Sequence, residues 1–381
     1  MALPSFEFRA ATRLIVAAGG LRRLGDVARD LGGSRVLVTS DPGIVAAGHA
    51  ATGLAALEAA GLATELFSDF GENPSSSQVE AGTEMARRFR PDLVVGLGGG
   101  SSLDCAKGIN FLFSCGGRMQ QYRGRGTATG PMLPSIAVPT TAGTGSETQS
   151  FALITDSETG MKMACGDPRA AFRVAILDVD LTLTQPPRVA ALTGIDAVTH
   201  AVESHVSTAA TPASRVFSRE AWRLLAENLP RVFLDGRDVE ARAAVQFGAA
   251  LAGLAIEHAM LGAAHALANP LTAAHDVVHG QAVGVMLPHV VRFNAAACGE
   301  RFAELVGDLG LQLPPADAGG VLSDWLVDLL RRAGLETALD RIAAGADLGG
   351  LAEQAAAQWT AGFNPRAVTA ADLAALYEAA R

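Results

Sequence analysis

LVVGLGGGSSLDCAKGI, residues 93–109, runs from an apolar stretch through three consecutive glycines into a segment of helical character. It reads as a strand, a tight turn and a helix start. Gly98, Gly99 and Gly100 permit close backbone approach, and Ser101 or Ser102 is placed to cap the helix, whose first N–H groups face an anion well. It is not the GxGxxG dinucleotide fingerprint, because position 103 is Leu103, and no GK[ST] follows to make a P-loop. Alone, the loop suits a phosphate cradle and a βα turn that binds nothing equally well.

Working outward, SRVLVTSD (34–41) and PSIAVPTTAG (134–143) are further apolar runs bounded by turn residues, with helical patterns at 44–60 and 77–89. Strands alternating with helices of this length predict a parallel sheet covered on both faces. From Pro186 the pattern changes to Ala/Leu-rich stretches with 3.6-residue periodicity at 190–207, 213–228, 238–268, 297–309, 320–333 and 371–380. Prolines 186, 187, 230, 270, 288, 314 and 315 read as helix boundaries. The expectation is an α/β domain over 1–185 and an all-helical domain over 186–381, consistent with a length of 381 residues that exceeds one ordinary core.

Net charge is -9, without a dense Lys/Arg stripe, which argues against nucleic-acid binding. The longest apolar stretch, 243–256, is shorter than the ~20 residues a bilayer span needs, and no secretory h-region opens the chain. Cys105, Cys115, Cys165 and Cys298 form no CxxC pair, as expected of reduced thiols in a cytoplasmic protein.

Two features support a nucleotide at the glycine loop. Asp41 ends a strand where a carboxylate can accept from a ribose diol, and it would repel a 2′-phosphate, favouring NAD over NADP. PTTAGTGSE (139–147) is a second Gly/Thr loop directly after a strand. Ligands of open α/β sheets bind at such carboxyl ends.

Seven of the eight histidines fall between 200 and 289. TGIDAVTHAVESHVS (193–207) sets Asp196 and His200 at i,i+4 on one helical face. His265 lies near the end of the predicted helix 238–268, and His279 follows a loop in GAAHALANPLTAAHDVVHG (262–280). One carboxylate and three neutral imidazoles would suit Fe(II), Zn(II), Co(II) or Ni(II). A single histidine in an Ala-rich helix is more often a core or surface residue, and His205 and His289 are read that way.

The segments GGGSSLDCAK, PTTAGTGSE, GIDAVTHAVES and HALANPLTAAHDVVHG occur in the order found in the iron-containing (group III) alcohol dehydrogenases, and the resemblance runs from about residue 10 to 375. It implies a Rossmann-like parallel α/β domain followed by an all-α domain, the dehydroquinate synthase-like fold. It implies an NAD-dependent, metal-dependent oxidoreductase interconverting a small alcohol and an aldehyde or ketone, a cytoplasmic homodimer or higher homo-oligomer without nucleic-acid or membrane partners. The metal, Fe(II) first and Zn(II) second, would be held by Asp196, His200, His265 and His279. The cofactor set would be Asp41 at the adenosine ribose, Asn73 on the adenosine side, and Gly98, Gly99, Gly100 and Ser101 at the pyrophosphate. Asp104, Thr140, Thr141, Lys162 and Leu181 would line the remaining groove. Related chemistries are glycerol dehydrogenase, maleylacetate reductase, hydroxyacid–oxoacid transhydrogenase and a noncatalytic NAD- or metal-binding relative.

Two departures stand out. A motif resembling FGxG reads AAGG at 17–20. Many members also carry His, commonly assigned to proton relay or substrate positioning, where this chain has Asn269. Asn269 has no proton to exchange near neutral pH, so it orients but does not relay. Relay would then pass through water, the nicotinamide ribose, or an imidazole such as His275 or His258.

Overall fold

The structure, a computed structural model, describes residues 5–381. The chain divides into two compact units, Arg9–Gln185 and Pro186–Arg381, the latter including the described residues before Arg9. Phe8 there stacks on Phe217, ring centroids 5.3 Å apart.

The first unit is built on a six-stranded parallel sheet. Its spatial order is Arg13–Val16, Val174–Leu177, Ser135–Pro139, Leu93–Gly98, Arg35–Thr39, Ala63–Phe67. The chain steps outward from Arg35–Thr39 to Ala63–Phe67, then returns to the other side of Arg35–Thr39 with Leu93–Gly98. That reversal is the topological switch point where such sheets bind ligands. The central strands are buried on both faces. Val36, Val38, Val95, Leu97, Ile136 and Val138 pack on one side with Leu24 and Leu57, while Val94 and Ala137 pack on the other with Leu103 and Phe172.

A small second sheet, absent from the sequence expectation, pairs Phe151–Thr155 antiparallel to Lys162–Gly166, with Gly124–Arg125 at its edge. The expected helix 44–60 is two helices, Pro42–Ala46 and His49–Ala59, because Gly48 turns left-handed at φ 83°.

The second unit is helical: Pro187–Val206, Pro212–Leu234, Val239–Ala259, Ala263–His275, His279–Asp308, Pro315–Arg332, Leu348–Ala356 and Ala370–Ala379. Thr211 and Thr369 close capping boxes at two helix starts, and Asp238 and Asp347 cap two more. Several prolines correct the sequence reading. Pro187 and Pro315 open helices, but Pro230, Pro270 and Pro288 lie inside them. The predicted helix 238–268 is broken at Met260, φ 64°, so His265 falls in the first turn of a new helix rather than near the end of an old one. Val239–Ala259 is long and apolar enough to cross a membrane, yet 72% of its apolar window is buried inside the protein.

Gly280 and Gly284 let the helix His279–Asp308 approach Pro187–Val206 closely. A Cβ on Gly280 would lie 2.2 Å from the Leu192 carbonyl oxygen, and one on Gly284 would lie 2.9 Å from Ile195 Cγ2. This approach brings the start of one helix against the turn that carries Asp196.

Candidate functional site

Three helices of the second unit each deliver one or two polar side chains to a buried point. Asp196 and His200 share a face of Pro187–Val206, His265 comes from the first turn of Ala263–His275, and His279 opens His279–Asp308. Their imidazole Nε2 atoms converge on one atom, Asp196 Oδ1, at 3.4 Å from His200, 3.4 Å from His265 and 3.7 Å from His279. The His200 and His265 rings stack at 4.9 Å, and the His279 ring tilts against His265 at 5.3 Å.

Asp196 is 6% exposed, His200 and His265 4% each. Distances of 3.4 Å and more are long for hydrogen bonds, and Asp196 Oδ1 and His265 Nε2 remain buried without a partner. Unpaired buried polar atoms are costly, so lone pairs aimed at one point indicate a cation rather than a stabilising network. The donor set of one carboxylate and three imidazoles fits a divalent d-block ion.

The electrostatics agree. Burial works to raise the Asp196 carboxyl, but the surrounding imidazoles, His200 foremost, outweigh it and hold the group well below the usual carboxylate range. Burial works to lower His265, yet the flanking Asp196 and Glu203 push it up to about 9. Both flanking carboxylates thus favour positive charge at His265.

Sequence reasoning missed Glu203. It is 3% exposed, its Oε2 sits 2.6 Å from His265 Nδ1, and its Oε1 accepts from the Ala264 backbone N–H at 2.6 Å. The available signal was its spacing: seven residues after Asp196 and three after His200, in a helix stretch with no other acid.

Asn269 stands one turn after His265, half-buried, and its Nδ2 donates to Gln358 Oε1 at 3.1 Å. His275 is exposed at the last position of that helix, ten residues and about 15 Å of helix rise beyond His265. Asp276 at φ 53° breaks the helix there, so the i,i+4 spacing of His275 and His279 does not put them on one face. His258 packs its ring on Phe8 at 4.5 Å. His205 lies between Ser218 Oγ (3.0 Å) and Glu304 Oε2 (3.1 Å), a triad-like sequence of groups, but Ser218 is fully buried and the set is structural.

In the first unit the expected nucleotide residues collect at the carboxyl ends of adjacent strands. Gly98 has φ 150°, and a Cβ there would lie 2.3 Å from Ser102 Oγ, so only glycine suits this turn. The helix Gly100–Cys115 starts from Gly99 with no side-chain cap, which corrects the capping role given to Ser101 or Ser102. Ser102 Oγ instead donates to Asp41 Oδ2 at 2.9 Å, and Ser101 Oγ accepts from the Asn73 backbone N–H at 3.1 Å. Asp41 also caps Pro42–Ala46 through the N–H groups of Gly43 and Ile44. Asn73, left-handed at φ 54°, accepts from Lys162 Nζ at 2.9 Å. The Thr140 N–H donates to the Gly98 carbonyl at 3.0 Å, and Thr141 lies beside Gly99.

Two of the set are deeper than a groove-lining role suggests. Leu181 is 4% exposed within the sheet's core, and Asp104 accepts from Ser146 Oγ at 2.6 Å. Burial raises the Asp104 carboxyl. Beside it the buried Lys107 Nζ donates to the Ser146 and Phe151 carbonyls at 2.7 Å each. This brace, also missed in sequence, ties the second Gly/Thr loop to the glycine-loop helix. In AAGG, Gly19 turns at φ 66° and the N–H groups of Gly19 and Leu21 donate to Asp178 at 2.9 Å, so the turn is formed without the aromatic.

A switch-point glycine loop and a cluster of Asp196 with three histidines are the marks of a protein that binds a nucleotide and a metal ion. Residues 11–179 match the family described as iron-containing alcohol dehydrogenase, and residues 190–381 match its C-terminal domain. The chain belongs to the iron-containing alcohol dehydrogenase family. It is 35% identical to the 1,3-propanediol dehydrogenase of Klebsiella pneumoniae over 94% of each chain. A solved 1,3-propanediol oxidoreductase superposes with a TM-score of 0.96 at 32% identity, over 99% of this chain and 100% of that one. Sulfoacetaldehyde reductase of Bifidobacterium kashiwanohense, solved with NAD+, superposes with a TM-score of 0.89 at 28% identity, over 99% of each.

Proposed function

We propose that Asp196, His200, His265 and His279 hold one divalent ion, Fe(II) first and Zn(II) second, and that the chain interconverts an alcohol and an aldehyde or ketone with NAD(H). The observation carrying this reading is the convergence of three Nε2 atoms on the unpartnered Asp196 Oδ1. A divalent ion bound there supplies Lewis acidity to the substrate oxygen.

The chain's own residues do the rest. Gly98, Gly99 and Gly100 bring bare backbone and an uncapped helix start to the pyrophosphate, with Ser101, Thr140 and Thr141 adding hydroxyls. Asp41 takes the adenosine ribose, and Asn73 with Lys162 closes the adenosine side. Asp104 and Leu181 act from behind, holding the loops.

Asn269, anchored by Gln358, hydrogen-bonds the substrate without exchanging a proton. Its amide suits a substrate with a second polar group. The exposed end position of His275 and the packing of His258 on Phe8 weigh against imidazole relay. The proton therefore moves through water or the nicotinamide ribose.

A cytoplasmic homodimer is our reading of the assembly; four unpaired thiols suit a reducing compartment. Light scattering on the purified protein checks the dimer. The function is tested by metal analysis followed by an alcohol and aldehyde panel with NAD(H) and NADP(H). Chelation should abolish turnover and Fe(II) or Zn(II) restore it. Turnover that persists through complete metal removal would overturn the reading.

A further inference from the structure

We propose that Glu203 is a positioning residue of the metal centre, fixing His265 in the tautomer that presents Nε2 as a lone pair and supplying the second buried negative charge that balances a divalent ion. The inference rests on the four-ligand reading above.

The geometry assigns the tautomer. Glu203 Oε1 accepts from the Ala264 backbone N–H and Oε2 faces His265 Nδ1, both at 2.6 Å. A carboxylate with both oxygens so used is an acceptor, so the imidazole proton sits on Nδ1. In the metal-loaded site Nε2 is then the free donor, and it is this atom that points at Asp196 Oδ1 from 3.4 Å.

The surroundings hold the carboxylate where the ligand needs it. A Cβ on Gly262 would lie 3.0 Å from Glu203 Oε1 and 3.2 Å from Asn364 Oδ1, so that position stays bare beside the carboxylate. Asn364 also accepts from the Ala263 N–H at 3.3 Å and is paired with the buried Asn294 at 2.9 Å. The void that Glu203 lines with Val202, Gly262 and Asn364 is small, about 10 Å³.

Charge balance gives the second role. Asp196 and Glu203 carry two negative charges and three neutral imidazoles carry none, which cancels a divalent ion in a pocket of low dielectric. With Asp196 alone, one positive charge would stay buried and uncompensated, which is strongly unfavourable. Glu203 also joins the helix carrying Asp196 and His200 to the first turn of the helix carrying His265, so orientation and charge come from one side chain.

The test compares Zn(II) and Co(II) binding to the wild type and Glu203→Gln by competition with a chromophoric chelator. Glutamine keeps the size and one acceptor but removes the charge. Both dissociation constants should weaken roughly 10–100-fold, the cost typical of losing the partner behind a ligand. The Co(II) d–d spectrum should change, while the metal-free Tm stays close to wild type. Wild-type affinity and spectrum in Glu203→Gln would refute the inference, and so would a loss of Tm in the metal-free protein with affinity unchanged. Nitrogen-15 spectra of the Zn(II)-loaded wild type need no variant: a proton on His265 Nδ1 is expected, and a proton on Nε2 would refute it. A wild-type protein that binds neither ion would defeat the four-ligand reading itself, whereas tight wild-type binding matched by Glu203→Gln defeats this inference alone.

Discussion

Gly280→Ala adds one methyl group next to His279 and should cost the protein its metal. The added Cβ would lie 2.2 Å from the Leu192 carbonyl oxygen, 2.7 Å from its carbon and 3.0 Å from its Cα. All three are backbone atoms of the helix carrying Asp196 and His200, so no side-chain rotation relieves the clash. A carbon–oxygen contact relaxes at roughly 3.4 Å, so the two helices must separate by about 1 Å at this point. Overpacking of that kind costs about 1–3 kcal/mol of stability. The larger effect is on binding. His279 opens the displaced helix, and its Nε2 is already 3.7 Å from Asp196 Oδ1. Coordination distances tolerate only about 0.2 Å, so a shift of about 1 Å removes one of the four proposed ligands. We expect Zn(II) affinity to fall by more than about 100-fold, beyond the loss from removing a partner behind a ligand. The assay is chelator competition at a temperature well below the Tm of the variant. Gly320→Ala is the control, since nothing lies within 4 Å of its added Cβ and the helix containing it should gain stability. If Gly280→Ala binds Zn(II) as tightly as wild type while Gly320→Ala behaves as expected, the claim that this glycine sets the ligand geometry is wrong.

The metal-free protein should also show a pH signature. His265 is raised from 6.5 to about 9, so its contribution to metal-free stability is full below about pH 6.5 and is lost as pH rises through about 9. An incoming ion must displace that proton, so apparent metal affinity should rise by up to about tenfold per pH unit across the same window; a flat profile would contradict this. Asp41→Ser keeps an oxygen to cap Pro42–Ala46 while removing the charge proposed to repel a 2′-phosphate. The NADP(H)-to-NAD(H) ratio of kcat/KM should rise about tenfold or more, equivalent to about 1.4 kcal/mol, and an unchanged ratio would remove Asp41 from the ribose. Asn269→His places a titrating group one turn from His265, so the pH profile of kcat should gain an inflection near about 6.5; a profile identical to wild type would show that position 269 does not face the reacting groups.

The α/β half was legible because its signals are local. Apolar runs ended by Asp41, by Gly98 to Gly100 and by Thr140 announce strands entering turns, and parallel pairing follows from the helices between them. The hairpin Phe151–Gly166 escaped because its short strands alternate weakly, although Lys162 on it was read as lining the cofactor groove. In the helical half, Asp196 and His200 could be paired from spacing alone, since i,i+4 on one helix is a property of the backbone. Bringing His265 and His279 to them required the resemblance, because no local rule relates residues on three different helices. Prolines misled for a related reason: Pro270 and Pro288 each remove only one donor, and tertiary packing holds the flanking turns helical regardless. Buried tyrosine Tyr377 illustrates that support, donating its hydroxyl to the Leu267 carbonyl within the Pro270 helix at 2.6 Å. Glu203 and Gly280 were harder to read: spacing sets Glu203 near His200 on one helix, but does not say what either residue faces. A lone glutamate reads as solvent-facing until a histidine 62 positions away is seen against it, and a glycine reads as permissive until a carbonyl on another helix forbids anything larger. The proposed ligands are residue types that announce metal chemistry. The glutamate and the glycine behind them take their meaning from the folded contact.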